Sequence, residues 1–242
     1  MSAKDPGKPC KAAADQEGFS RYKRLSAIAS LVPRCTVAAD VGTDHGVLPI
    51  LLIENGTADR VIGTDVRKGP LSAAEKRVKA CGLEDRIELR LGDGLRVLRP
   101  CEAETIVISG MGGKLIVNIL GDSPETALSA RTLVLSPHRD ARDVRNFLIS
   151  HGFRIEDETM EEEDGKFYPI IRAVCGESGY LSEQELEYGP VLLAKRPDAF
   201  LRFLDEKREK LTALSEKLEK AGTEKSERSL RNVRSELLNL PR

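Results

Sequence analysis

The chain has 242 residues, of which 40% are hydrophobic and 32% charged, and a formal net charge of −1. This length suits one full α/β domain with an appendage, and the composition is that of a soluble globular protein. The balanced charge gives no global sign of nucleic-acid binding, so any basic surface is local. Five scattered cysteines (Cys10, Cys35, Cys81, Cys101, Cys175) form no C-x-x-C pair. They read as reduced thiols and exclude a disulfide framework or a zinc site. Only His45, His138 and His151 are available and no H-E-x-x-H occurs, so no metal is expected. There is no signal-peptide pattern and no apolar run of about 18 residues, so the expected place is the cytoplasm, with no membrane contact.

In chain order, residues 1–18 lack periodicity and read as a flexible extension. Arg21 to Leu31 alternates basic and apolar residues at helical spacing and stops at Pro33. Its apolar face suits packing on a sheet. Its basic residues Arg21, Lys23 and Arg24 are either solvated or placed for RNA phosphates. The β-rich run Thr36 to Ala39 leads into Asp40, then a turn hinged by Gly42 and Gly46, then a helix over Val47–Ile53 with Pro49 in its first turn. A second strand, Arg60–Asp65, also ends in an acid. A helix over Leu71–Cys81 follows Pro70, and strand Arg86–Leu91 opens into Gly92-Asp93-Gly94. A helical turn at Leu95–Leu98 precedes strand Thr105–Ile108 and the loop Ser109-Gly110-Met111-Gly112-Gly113. Helix Lys114–Leu120, strand Thr132–Leu135 with Ser136-Pro137, and a helix from Asp140 to His151 come next. The last strands, Phe153–Thr159 and Phe167–Val174, are joined by an acidic segment, Glu161–Gly165, read as a solvated hairpin tip.

Strand–helix alternation of this kind predicts a mostly parallel, doubly wound, seven-stranded sheet closed by a hairpin: an α/β, Rossmann-like domain over 19–178. Beyond Gly179 the pattern is helical. Leucines recur at three- and four-residue steps over Asp198–Leu218 and again over Ser229–Leu238, predicting a helical hairpin or short coiled coil over 179–242. From Lys195 to Arg242 there are 13 Lys/Arg against 9 Asp/Glu. That surplus fits either a solvated, self-associating pair or a surface for RNA.

In an open α/β sheet a ligand sits outside the carboxyl ends of the strands, so Asp40 and Asp65 both face it. A dinucleotide site requires G-x-G-x-x-G, whereas here the spacing is Asp40-x-Gly42-x-x-x-Gly46 and Asp44 would repel a pyrophosphate. An acid-flanked glycine turn suits a cationic ligand such as S-adenosyl-L-methionine. Asp40 or Asp44 balances its ammonium, Asp65 accepts from the ribose hydroxyls, and Asp93 accepts from the adenine amine. The loop Ser109–Gly113, read either as a plain βα turn or as an acceptor pocket, leaves room for a flat ring. A ring nitrogen such as N1 of adenine already carries a lone pair, so alignment alone can drive methyl transfer. Tyr22, Phe19 and Tyr168 are candidates to stack on such a base, or else belong to the core.

Taken together these motifs resemble the bacterial tRNA (adenine-22-N1)-methyltransferases, the TrmK family. The resemblance runs from Arg24 to Val174. It rests on Asp40-Val41-Gly42-Thr43-Asp44-His45-Gly46, Asp65-Val66, Lys68-Gly69-Pro70-Leu71, Gly92-Asp93-Gly94 and Gly110-Met111-Gly112-Gly113. It implies a methyltransferase domain with a helical coiled-coil tail, S-adenosyl-L-methionine as cofactor and tRNA as partner. Asp40, Gly42, Gly46, Asp44, Asp65, Asp93 and Gly110 would then surround the cofactor, with Met111 and Gly112 near the transferred methyl. The chain departs from the family pattern at Val47, Arg67 and Ser136. Two other readings compete: a tRNA-binding protein that keeps the fold without catalysis, and a methyltransferase for another RNA base or a small molecule. A monomer or weak homodimer is expected.

Overall fold

The computed structural model describes residues 22–221 and 223–241. The N-terminal extension, with Phe19 and Arg21, lies outside the described residues. Helix α1 (Lys23–Leu31) buries Ile28, Ala29 and Leu31. The chain then alternates through β1 (Cys35–Val41), α2 (Val47–Glu54), β2 (Ala58–Asp65), α3 (Lys68–Cys81) and β3 (Ile87–Leu91). A 3-10 turn at Gly94–Val97 leads to β4 (Thr105–Met111), α4 (Gly113–Gly121), α5 (Pro124–Ser129), β5 (Thr132–Pro137) and α6 (Ala141–Ser150). The hairpin strands are β6 (Phe153–Glu163) and β7 (Lys166–Cys175).

All seven strands join one sheet in the order β3-β2-β1-β4-β5-β7-β6. β1 to β5 pair in parallel, and β7 runs antiparallel between β5 and β6. The central strands are apolar and buried almost throughout, as parallel strands covered on both faces must be. One face carries α4, α5 and α6 through Ile116, Leu120, Ala127, Val144 and Leu148. The other carries α1, α2 and α3 through Ile28, Leu48, Leu52 and Val78. Chain order reverses between neighbours β1 and β4, which leaves a crevice at their carboxyl ends.

Two expectations change. The acidic hairpin tip is only Asp164-Gly165, both at positive φ (52° and 68°), the two-residue turn that Asp-Gly favours. Glu161, Glu162 and Glu163 stay in the ladder opposite Tyr168, Phe167 and Lys166. They are not a solvated tip, because cations offset them: Arg24 meets Glu163 at 3.0 Å and Arg202 meets Glu162 at 2.8 Å. The cysteines also differ. Cys35, Cys101 and Cys175 are free, but Cys81 is disulfide-bonded rather than reduced.

Beyond the sheet lie two short helices without a sequence forecast, α7 (Glu183–Tyr188) and α8 (Pro190–Lys195), each too brief to show a period. Helices α9 (Asp198–Ala221) and α10 (Glu224–Asn239) pack against each other. Ion pairs Glu219–Arg234 and Lys207–Glu236 set them antiparallel. α10 starts five residues before the predicted Ser229, because Thr223 and Ser226 cap it reciprocally. Their core takes in Met160 of β6 and Phe167 of β7. At the junction Arg145 is fully enclosed. It binds Glu158 at 2.8 Å and donates to the carbonyls of Leu186 and Glu187, while Glu158 accepts from the amide of Val191. No helix among the described residues is long and apolar enough to cross a membrane.

Candidate active site

A cleft of about 570 Å³ opens where β1, β2 and β4 end. Asp40 sits at its base, with backbone partners on both sides, Gly63 of β2 and Val107 of β4. Its side chain is 2% exposed. Burial pushes its carboxyl up to about 7, opposed by the Thr43 hydroxyl and reinforced by the nearby charge of Asp65. The chain then turns sharply. Gly42 adopts φ 79°, and the amides of Gly42 and Thr43 both donate to the Thr64 carbonyl at 2.8 Å. A Cβ on Gly42 would meet only the flexible end of Met111, so it is the left-handed φ of the turn that favours glycine here. Asp44 is also left-handed, at φ 50°, a conformation aspartate tolerates.

Asp65 ties the turn to the β2 loop. Its Oδ2 accepts from the Asp44 amide at 3.2 Å and its Oδ1 from the Arg67 amide at 2.8 Å. Each oxygen keeps a further acceptor site for a hydroxyl. Asp93 stands on the far wall with its side chain 67% exposed, 3.8 Å from Arg96. Its loop is clamped from behind: Arg90 grips Glu102 with two nitrogens at 2.7 and 2.9 Å and donates to the Val97 carbonyl. That grip pulls the Glu102 carboxyl down to about 2.

The cleft gathers Asp40, Gly42, Asp44, Asp65, Asp93, Gly110 and Met111. Two glycines stand elsewhere. Gly46 faces Ala74 of α3, and Gly112 faces Arg139. Gly113 is packed against the Asp140 and Arg139 carbonyls, and its amide donates to Arg139 at 2.9 Å. Lys23 is exposed outside the cleft. Arg24 lines it, with its guanidinium 4.8 Å above the Tyr168 ring. Sequence reasoning missed Thr43, Thr64, Leu115, Ile119 and His138 as lining residues. Only His138 carried a signal: it directly follows a strand end.

The residues present fit an adenosyl cofactor. The hydroxyl of Thr64 is buried without a protein partner. Val66 and Leu115, 64% and 50% exposed, give the cleft apolar walls suited to a flat ring. The base of the cleft is acidic, as a sulfonium and an ammonium require. Among the described residues no group of three or more His, Cys, Asp or Glu could hold a metal ion.

Comparison with known proteins now decides the family. Residues 22–171 match the family described as "Methyltransferase domain". A tRNA (adenine(22)-N(1))-methyltransferase of Bacillus subtilis is 32% identical over 224 residues, 89% of this chain and 94% of the relative. The chain belongs to the tRNA (adenine-22-N1)-methyltransferase family. The crystal structure of the B. subtilis m1A22 tRNA methyltransferase TrmK superposes with a TM-score of 0.78 at 30% identity, covering 90% of this chain and 96% of that one. A Streptococcus pneumoniae protein crystallised in complex with S-adenosyl-L-methionine gives 0.77 at 33% identity, with the same shares covered. The fold of this methyltransferase is thus that of its relatives.

Proposed function

We propose that this protein transfers the methyl group of S-adenosyl-L-methionine to N1 of adenine 22 in tRNA. The observation that carries the reading is the convergence of Asp40, Asp44, Asp65 and Asp93 with the Gly110–Met111 loop in one cleft at the β1/β4 reversal. When bound, the cofactor supplies an electrophilic methyl on a sulfonium. Asp40 and Asp44 balance the cofactor's positive charge, Asp65 accepts from its ribose hydroxyls, and Asp93 accepts from its adenine amine. Met111 and Gly110 border the space left for the acceptor base. Gly112 and Gly46 act one layer back, shaping the turns through Arg139 and Ala74.

No group need remove a proton first, because N1 already carries a lone pair. The site contributes alignment and stabilises the cationic ring that forms. A base within folded RNA must be extruded to reach the cleft. Lys23, Arg24 and Arg21 are the proposed phosphate contacts, the helical unit 179–242 is proposed to help hold the tRNA, and the protein is proposed to work in the cytoplasm as a monomer or weak homodimer. Incubation with S-adenosyl-L-methionine and unmodified tRNA, followed by mass-spectrometric mapping, should yield one N1-methyladenosine, at position 22. Methylation at another base, or none, overturns the reading.

A further inference from the structure

We propose that His138 recognises the acceptor base, by accepting a hydrogen bond at its imidazole from the exocyclic amine of the target adenine. The inference rests on the function proposed above. His138 follows Ser136-Pro137 at the carboxyl end of β5, and its amide donates to the Met111 carbonyl at 2.8 Å. The β5 end is thereby pinned to the loop that borders the acceptor space. Its ring lines the cleft, with Nε2 3.9 Å from where a Cβ on Gly110 would sit. The Tyr168 ring of β7 holds it edge-on, with centroids 5.1 Å apart and planes at 63°. Arg24 of α1 packs on that tyrosine in turn. Neither imidazole nitrogen has a hydrogen-bond partner among the described residues, so the ring offers free bonding capacity to whatever enters.

The ring's charge state suits an acceptor. Burial lowers its pKa from the ordinary histidine value, Arg24 and Lys166 push the same way, and Glu163 opposes them. A neutral imidazole carries one nitrogen that accepts. Beside N1, adenine presents an amine, whereas guanine presents a carbonyl oxygen and a protonated N1. An acceptor placed on the amine therefore selects adenine and leaves the N1 lone pair free to attack. As the new N–C bond forms and the C–S electron pair leaves to sulfur, the ring gains positive charge and its amine becomes a stronger donor. The bond to His138 then tightens in the transition state, which is where binding accelerates a reaction.

The test compares wild type, His138→Ala and His138→Gln on two tRNAs, one carrying adenine and one carrying unsubstituted purine at the target position. Purine keeps N1 and lacks the amine. His138→Ala should lower kcat/KM on the adenine tRNA roughly 10- to 100-fold, the loss expected when one oriented hydrogen bond is removed. Its effect on the purine tRNA should be at least about tenfold smaller, and calorimetric affinity for the cofactor should not change. His138→Gln, whose carboxamide oxygen can accept, should recover part of the loss. It should also lose the fall in activity that wild type shows, at saturating cofactor, as acid protonates the imidazole. Equal losses on both tRNAs, or no loss on either, overturn the inference while leaving the proposed function standing. A wild type that methylates neither tRNA overturns the proposed function itself.

Discussion

Asp40 is where burial and function pull against each other. An ionised carboxylate at 2% exposure is unfavourable in the empty cleft, and its pKa of about 7 reflects that. A cationic ligand beside it reverses the preference, so binding must expel the proton. The affinity for S-adenosyl-L-methionine should therefore rise with pH up to about 7 and level off above it, falling by up to about tenfold per unit on the acid side. Calorimetry in buffers of different ionisation enthalpy would show proton release, and Asp40→Asn should abolish both the pH dependence and most of the affinity. The sign for stability is the opposite one. Asp40 holds its proton more tightly folded than at its ordinary 3.8, so its contribution to the empty protein's stability is lost as pH climbs from about 4 to 7. Asp40→Asn should remove that decline from the pH profile of the melting temperature.

At the scale of elements, the site is a set of strand ends joined by backbone contacts, and small residues sit where those ends approach. Gly113 is the tightest case. A Cβ there would strike the Asp140 and Arg139 carbonyls, which are backbone and cannot swing aside. We expect Gly113→Ala to push the β4 and β5 loops apart, losing about 2 kcal/mol or more of stability and most activity, with faster tryptic cleavage after Lys114 and Arg139 as the readout. A second joint lies between the sheet and the helical unit. Arg145 and Glu158 are 1% and 0% exposed and satisfy each other together with carbonyls and amides of α7 and α8. Breaking the pair from one side leaves a buried charge alone. Glu158→Gln or Arg145→Met should each cost about 3–5 kcal/mol in chemical denaturation. A much smaller loss would mean that the junction opens to water.

Across the whole molecule the charges are distributed, not massed. Several cations on the helical pair already have partners: Arg202 with Glu162, Lys207 with Glu236 and Arg234 with Glu219. We expect RNA affinity to depend on exposed cations beside the residues that line the cleft. Lys23 is one of these, and Lys23→Glu should weaken tRNA binding uniformly across sequences and reduce the salt slope by about 1. Filter binding across a salt series measures it. An unchanged slope would remove α1 from the RNA surface.

The sequence by itself determined the strand and helix alternation, the closing hairpin and the acids at the strand ends, because period, turn residues and burial pattern are local properties of the chain. Helix α10 was legible only in part, since its start depends on a cap formed by Thr223 and Ser226, and α7 and α8 are too short to show a period. Three things belonged to the tertiary structure alone. His138 joins the strand-end acids in one cleft because β5 lies beside β4 and β4 beside β1, a sheet order that no local spacing encodes. Gly46 and Gly112 turned out to face Ala74 and Arg139, because the direction of a turn is set by what packs behind it. The acidic stretch Glu161–Glu163 joined the ladder instead of the solvent because Arg24 and Arg202 come to meet it from helices about 140 and 40 residues away, distances across which only the folded chain brings charges together.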